Sequence, residues 1–267
     1  MFAKERKREI LRILSEKGKV KTLELAEMLD VSEPTIRRDI ADLDKQGALI
    51  RTHGGALPVE EQSIEPTFSE KVDKFSKEKI HIGKTAAALI KEGSTIVLDG
   101  GTTTLQIAKY LIGKSVTVVT NALDIAEELE NKEGIEVILT GGNIRWKTRA
   151  LVGPITEATL SRFRVDMAFI GTNAISVEDG ITTPNLVEAS AKKAMIKIAK
   201  RAFVVADHTK FGHSEFCQVA NLEDIAGVIT DPQIDDAVIS QYEKEDLEVI
   251  IEEGDFVDYD NHPESRS

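Results

Sequence analysis

The sequence has few of the features that mark specialised classes of protein. Its 267 residues include a single cysteine, Cys217, so neither an internal disulfide nor a cysteine-rich zinc site is expected. No stretch approaches the roughly 20 consecutive apolar residues of a membrane-spanning helix, and the N-terminal residues 1–14 are too charged for a secretory signal. We therefore expect a cytoplasmic protein with no membrane contact, no metal and no cofactor.

Charge is distributed unevenly along the chain. The net charge is -12, yet residues 1–58 carry 12 Lys and Arg against 10 Asp and Glu, whereas residues 231–267 carry 2 against 13. Acidic charge beyond the Debye length of ~8 Å is screened at physiological salt, so a basic N-terminal piece is able to contact DNA phosphates locally. With 41% apolar residues, this length suits one or two globular domains.

The first 47 residues predict three helices. Apolar residues at helical spacing mark a helix over 4–17, and a second, short helix begins at Thr22. After a turn at 30–31, Ser32 caps a third helix that runs to about Gln46. Two helices joined by such a short turn are typical of a helix-turn-helix, whose second helix enters the major groove.

The third helix has one apolar stripe and one basic face. The stripe consists of Ile36, Ile40 and Leu43. Arg38 points away from it, flanked by Thr35 and Arg37, and such side chains bind base edges in DNA. The following segment, ALIRTHGGAL, alternates apolar and polar residues, which predicts a β-ribbon wing. The residues predicted to contact DNA are Ser32, Thr35, Arg37, Arg38, Arg51 and His53. On spacing alone, a helix that only packs against its neighbours remains an alternative.

The segment SEPTIRRDIADLDKQGALIRTHGGA closely resembles the DNA-binding signature of the DeoR family of bacterial transcriptional regulators. The resemblance implies a winged helix-turn-helix domain at residues 1–57 that binds a double-stranded DNA operator. Within it, we expect Asp39 to orient Arg37 or Arg38 rather than to touch DNA. Because one small domain of this type buries little surface, we also expect a homo-oligomer that binds repeated half-sites.

A charged segment at 58–76 with no clear strand pattern predicts an interdomain linker. From 77 to 253, short apolar strands alternate with helices, which predicts an α/β domain with a mostly parallel sheet. The predicted strands are 95–99, 116–120, 135–140, 166–171, 202–207, 225–230 and 247–251, and the predicted helices 78–91, 103–112, 122–130 and 187–200. Residues 254–267 are predicted to be an acidic, disordered tail.

Polar and glycine-rich loops follow five of these strands. Ligands of parallel sheets bind outside the carboxyl ends of the strands, so these loops predict a pocket for an anionic small molecule. The candidate residues are Asp99, Gly100, Gly101, Thr102, Thr103, Thr104, Thr120, Asn121, Gly141, Gly142, Thr172, Asn173, Asp207 and Lys210. Ordinary turns and helix caps explain any one of these loops equally well. The loop DGGTTT lacks the lysine of a nucleotide-binding P-loop.

The body of the chain also resembles the DeoR-family effector domain, whose fold is akin to ribose-5-phosphate isomerase. The resemblance rests on DGGTTT, TNA at 120–122, GG at 141–142 and ADHTKFG at 206–212. Where the isomerases carry catalytic aspartates, this chain has Gly171-Thr172-Asn173-Ala174, so the resemblance implies binding without turnover. It also matches Glu188 and Lys192 to acidic and basic helix residues of the isomerases.

These observations predict a transcriptional repressor of a sugar-catabolism operon, controlled by a phosphorylated sugar that binds the C-terminal domain. Fructose 1-phosphate is the first candidate for this effector. The alternative is a sugar-phosphate isomerase or hydrolase with an appended N-terminal domain, which would turn over pentose or hexose phosphates.

Overall fold

The computed structural model describes residues 3–17, 20–45, 48–51, 54–57 and 66–251. The chain divides into two compact units, Met1–Glu65 and Pro66–Ser267. His53, predicted to contact DNA, and the predicted acidic tail at 254–267 lie outside the described residues. In the part of the chain that the structure describes, no helix is long and apolar enough to cross a membrane.

The first unit is a winged helix-turn-helix, as its sequence predicts. Its elements are α1 (Ala3–Lys17), β1 (Val20–Lys21), α2 (Thr22–Met28), α3 (Glu33–Lys45), β2 (Ile50–Arg51) and β3 (Gly55–Leu57). The wing strands β2 and β3 are antiparallel, and β3 also pairs with β1, a strand that the sequence analysis does not predict. Ile36, Ile40 and Leu43 of α3 are buried against α1 and α2, as the apolar stripe predicts.

The prediction for Asp39 is wrong. Asp39 is buried, and its carboxylate accepts a hydrogen bond from Nε of Arg6 on α1 at 2.5 Å. One turn further along α3, Asp42 pairs with Lys7 at 2.8 Å. Arg37 instead pairs with Glu33 of its own helix at 2.7 Å. The two acidic residues therefore fix α3 against α1, and Asp39 pairs with Arg6 instead of with Arg37.

The second unit alternates strands and helices. In chain order they are α4 (Phe68–Val72), α5 (Ser76–Leu89), β4 (Thr95–Leu98), α6 (Thr102–Lys109), β5 (Val116–Thr120), α7 (Leu123–Glu128), β6 (Ile135–Leu139), β7 (Asn143–Arg145), β8 (Ala150–Val152), α8 (Pro154–Leu160), β9 (Val165–Gly171), β10 (Ala174–Ser176), β11 (Gly180–Thr183), α9 (Leu186–Ile198), β12 (Ala199–Val205), β13 (Cys217–Ala220), β14 (Gly227–Ile229), α10 (Asp236–Glu243) and β15 (Val249–Ile250).

Seven of these strands form a parallel sheet in the order β15-β14-β12-β9-β4-β5-β6. Alternate residues of each strand face opposite layers: Val97 of β4 packs towards α8, α9 and α10, and Ile96 towards α5, α6 and α7. Helices on both faces explain why the strands are apolar runs rather than alternating ones. The α/β class and the parallel sheet are as predicted.

The structure differs from the predicted linker and from the predicted content of the α/β domain. The second unit begins at Pro66 rather than near 77, and α4 lies inside the predicted linker 58–76. Thr67 and Glu70 form a capping box that begins this helix. The antiparallel pair β7–β8 and the sheet β10-β11-β13 are also additions to the predicted elements. They are short and contain polar residues, so they lack the apolar runs used to identify strands.

Candidate functional site

A small pocket lies at the carboxyl edge of the parallel sheet, between strand ends, α9 and β8. Its cavity volume is about 10 Å³, which is room for about one water molecule. The lining residues are Asp99, Gly100, Asn121, Ala150, Val152, Glu188, Ala191 and Lys192. Four of these, Asp99, Gly100, Asn121 and Glu188, belong to the predicted effector site. Parallel strands bring their carboxyl ends to one edge, which is why the loops after β4 and β5 meet here.

A buried ion pair crosses this pocket. Lys192 of α9 donates from Nζ to Oδ2 of Asp99, and also to the carbonyl oxygen of Gly171 at 2.8 Å. The same oxygen of Asp99 accepts the amide of Gly171 at 3.1 Å. Both side chains are almost fully buried. The pair therefore ties the ends of β4 and β9 to α9. A ligand in the pocket meets one positive and one negative group that neutralise each other.

Glu188 occupies a second polar position, one helical turn before Lys192. Its carboxylate accepts a hydrogen bond from Oγ1 of Thr148 at 2.5 Å and from Nη1 of Arg145 at 3.3 Å. Both donors belong to the segment that carries β7 and β8, which we call the hairpin (residues 143–152). Glu188 is buried, so these contacts hold the hairpin against α9.

Asn121 organises the opposite wall of the pocket. Its Oδ1 accepts the amide of Gly100 at 2.8 Å, and its Nδ2 donates to the carbonyl of Leu151 at 3.0 Å. Thr120 uses its hydroxyl on the backbone, donating to Leu98 O at 2.7 Å and accepting from Ala122 N. The amide of Asn121 therefore positions the glycine loop beside the hairpin, while Thr120 caps the strand end.

The loop after β4 leads into α6, whose N-terminus is next to Gly100. Gly101 is the N-cap residue, and it provides no side-chain hydrogen bond to the first turn. Thr104 donates to the carbonyl of Gly101 at 2.9 Å, so its hydroxyl is used within the turn. The amides at 102–103 begin the helix, and such a helix start favours an anionic group. Thr103 is half-buried beside them.

The structure does not bring all predicted effector residues to this pocket. Gly141 accepts a hydrogen bond from Thr156, and a side chain on Gly142 would collide with Thr156, so both serve the packing of α8. Thr172 donates to the carbonyls of Ala174 and Thr182, and Asn173 accepts from Thr183. Asp207 caps the turn that contains Lys210 by accepting from Thr209 N. None of these predicted residues is among those that line the pocket described above.

The sequence analysis missed two polar residues of the site, Arg145 and Thr148, and it reached Lys192 only through the resemblance to the isomerases. For Lys192 a signal exists, because its spacing of four residues from Glu188 puts both on one helix face. For Arg145 and Thr148 the sequence carries no such signal, because they meet Glu188 only through folding over 40 or more residues.

Helix α5 carries a buried lysine near the start of the second unit. Lys79 of α5 donates hydrogen bonds to two backbone carbonyls, that of Lys71 in α4 and that of Lys74 in the turn after α4. Burial lowers the pKa of Lys79 to about 8, and the negative charge of Asp207 opposes this shift. Lys79 therefore joins α5 to α4 and the turn after it, at the start of the second unit.

Five of the six predicted DNA-facing residues are described by the structure, and all five are exposed or half-buried on the first unit. Oγ of Ser32 and Oγ1 of Thr35 lie 2.8 Å apart at the start of α3, and Arg38 is exposed one turn later. Arg51 is exposed on the wing, where its backbone amide donates to Asp44 at 3.0 Å. This surface combines hydroxyl and guanidinium groups around the N-terminal half of α3.

Two protein-family models match this chain. Residues 6–62 match the model of the DeoR-like helix-turn-helix domain, and residues 74–232 match that of the DeoR C-terminal sensor domain. The chain belongs to the DeoR family of transcriptional regulators. These two matches correspond to the two units of the structure, and they make the chain a DNA-binding regulator with a sensor domain.

Relatives of nearly equal length support the same assignment. The HTH-type transcriptional regulator GlpR of Haloferax volcanii is 40% identical over 88% of this chain and 92% of its own length. The HTH-type transcriptional repressor GlcR of Bacillus subtilis is 38% identical over 96% and 98%. Ribose 5-phosphate isomerase A of Methanocaldococcus jannaschii, a solved structure, is 18% identical over 50% of this chain and 53% of that one, with a TM-score of 0.38. So weak a likeness carries no statement about chemistry.

Proposed function

We propose that this DeoR-family regulator is a repressor of a sugar-catabolism operon, and that a phosphorylated sugar bound by its second unit releases it from the operator. The observation that carries the proposal is the pocket beside the start of α6. There, the paired charges of Asp99 and Lys192 and the carboxylate of Glu188 lie next to a helix N-terminus.

Each part of such an effector has matching chemistry in this site. A phosphate is favoured by the amides and the positive dipole end of α6, near Thr102 and Thr103. Sugar hydroxyl groups both donate and accept hydrogen bonds, so they suit the carboxylates of Asp99 and Glu188 and the ammonium of Lys192. The loop 171–174, which has no carboxylate, offers no general base and favours binding over turnover.

The relatives add support for repression. GlcR carries the name of a repressor, and a protein of Escherichia coli O157:H7 that is 35% identical over 92% of this chain is called a putative aga operon transcriptional repressor. We propose the same role for this chain, in the cytoplasm and as a homo-oligomer on repeated half-sites. An effector that binds the DNA-free form better weakens DNA binding by the coupling factor, typically about 5- to 150-fold.

The test uses Trp146, the only tryptophan, which lies in the hairpin turn and is exposed. Fructose 1-phosphate, glucose 6-phosphate and ribose 5-phosphate are titrated against the protein, each beside its unphosphorylated sugar. We expect at least one phosphate to change the fluorescence of Trp146 saturably, with the free sugars inactive.

Two results would contradict the proposal. Equal responses to a sugar and its phosphate would remove the role of the α6 N-terminus. Conversion of a sugar phosphate at ordinary enzymatic rates would favour the isomerase or hydrolase alternative.

A further inference from the structure

We propose that the hairpin (residues 143–152) transmits the state of the effector pocket to the start of the second unit through one backbone hydrogen bond, from the amide of Phe68 to the carbonyl of Lys147. This inference rests on the proposed function, because it assumes that the pocket binds an effector. It adds the path by which occupancy reaches the chain segment that leads to the DNA-binding unit.

The pocket is too small to hold a sugar phosphate as it stands. Its cavity volume of about 10 Å³ holds roughly one water molecule, whereas pockets for small molecules usually measure about 300 to 1,000 Å³. A bound sugar phosphate must therefore displace a wall. The walls formed by Asp99 and by α9 belong to the sheet edge and to a helix packed on the core.

Among the walls of the pocket, the hairpin is the one best able to move. Its two strands have three residues each, and two-stranded ribbons are marginally stable on their own. β8 is bonded to Asn121 through Leu151, and Arg149 pairs with Asp124 at 2.7 Å, so the part of the hairpin that moves is β7 with the turn at 146–148. The hairpin meets α9 through a small cluster of Ala150, Val152 and Ala191. A Cβ on Gly100 would lie 2.9 Å from Cβ of Ala150, so the hairpin also closes directly on the loop that precedes α6.

Glu188 joins the pocket to the hairpin turn. Arg145, just before the turn, and Thr148, within it, hold the buried carboxylate of Glu188. A ligand hydroxyl or phosphate that takes either group as a partner releases the turn from α9. The turn residue Lys147 then moves together with its neighbours.

The hairpin turn is bonded to α4, the first helix of the second unit. The carbonyl of Lys147 accepts the amide of Phe68 at 2.8 Å, and Phe68 is the first residue of α4. Hydrogen bonds from Thr67 lower the pKa of Glu70 in this helix, and the charges of Lys74 and Lys147 lower it further. Because the second unit begins at Pro66, α4 is the first element that the chain from the DNA-binding unit enters.

The contact can be removed with little other change. Proline is well tolerated at the first position of a helix, where its missing amide has no helical partner. Thr67, the residue before it, already has the extended conformation that proline requires, with φ -62° and ψ 161°. Phe68→Pro therefore deletes the donor, while Phe68→Ala deletes only the ring and serves as the matched control.

A double-mutant cycle tests the path without any effector. Glu188→Ala frees the hairpin at its pocket end, and operator affinity is measured with a duplex selected by the wild-type protein from a random library. In the wild-type background we expect Glu188→Ala to lower operator affinity by about 5-fold or more, the lower end of typical coupling. In the Phe68→Pro background the same substitution should change it by less than about twofold, since coupled positions are not additive.

Thr148→Val repeats the cycle with a variant that keeps the side-chain volume, and circular dichroism verifies that each variant is folded. Persistence of the effect in Phe68→Ala supports transmission through the amide. Equal effects of Glu188→Ala in the wild-type and Phe68→Pro backgrounds would overturn the proposal, and so would loss of the effect in Phe68→Ala. If no sugar phosphate changed the fluorescence of Trp146, the proposed effector would be refuted. The double-mutant cycle, which uses no effector, would still show whether the hairpin is coupled to operator affinity.

Discussion

In the helix-turn-helix unit the described side chains that are predicted to contact DNA are on the surface, whereas in the sensor unit the polar side chains of the pocket are buried. Arg37 and Arg38 are exposed on α3, but Asp99 and Lys192 are almost fully enclosed and bonded to each other. Exposed cations are available to a partner and contribute little to the fold. Buried polar groups must be satisfied within the protein, so the same residues serve folding and ligand binding.

This contrast predicts how substitutions act in the two units. In the first unit, binding and stability are separable, because the residues that fix α3, Asp39 and Asp42, differ from those that face outwards. In the sensor unit, a change to a pocket residue should alter both the ligand affinity and the free energy of unfolding.

The largest effect that we expect is a loss of stability in Lys192→Met. The substitution leaves the buried carboxylate of Asp99 without its ammonium partner, and breaking one side of a buried ion pair costs about 3 to 5 kcal/mol. Urea unfolding followed by the fluorescence of Trp146 measures the free energy of unfolding of this unit. The matched control is Lys200→Met, because Lys200 forms an exposed pair with Asp166 and should contribute less than about 1 kcal/mol. Similar losses in both variants would contradict the contrast between buried and exposed charge.

A smaller effect should appear in the pH dependence of stability. The pKa of buried Lys79 is lowered from 10.5 to about 8, so between these pH values the unfolded chain binds more protons than the folded chain. Stability should therefore rise with pH in this window, by an amount on the order of 2 to 3 kcal/mol at about 1.4 kcal/mol per pKa unit. Urea unfolding at pH 7.5, 9 and 10.5 is compared with that of Lys79→Gln, in which this rise should be absent.

Lys193→Gln, at an exposed position of α9, controls for the removal of one positive charge. If Lys79→Gln and the wild-type protein gained equal stability with rising pH, the buried ammonium would not be the group that titrates.

Much of the fold is predictable from sequence because its signals are local. The apolar runs of β4, β5 and β9 identify strands, and the polar residues that follow them identify the edge where the pocket lies. The stripe of α3 identifies its buried face in the same way. A five-residue helix such as α4 has too few residues for such a pattern, although Thr67 and Glu70 do carry the spacing of a capping box.

The partners of buried charges are not predictable in this way. Asp39 meets Arg6 across 33 residues, and Asp99 meets Lys192 across 93. Nothing in the neighbouring sequence of either aspartate specifies these distant residues, because the pairs form only when α1 packs on α3 and α9 packs on the sheet.

The smallest effect concerns DNA and compares two exposed arginines of the first unit. Arg38→Ala should remove a base contact and cost about 1 to 3 kcal/mol on the selected operator, with little change on an unrelated duplex. Arg51→Ala, on the wing, should weaken the binding of both duplexes. It should also lower the slope of log affinity against log salt concentration by about one, as expected for one lost phosphate contact.

Because both side chains are exposed, neither variant should change the free energy of unfolding by more than about 0.5 kcal/mol. Binding titrations at several salt concentrations, together with unfolding curves of the same samples, measure both quantities. Unchanged operator affinity in Arg38→Ala would mean that another face of α3 meets the bases, and a loss of stability in either variant would break the separation of binding from folding in this unit.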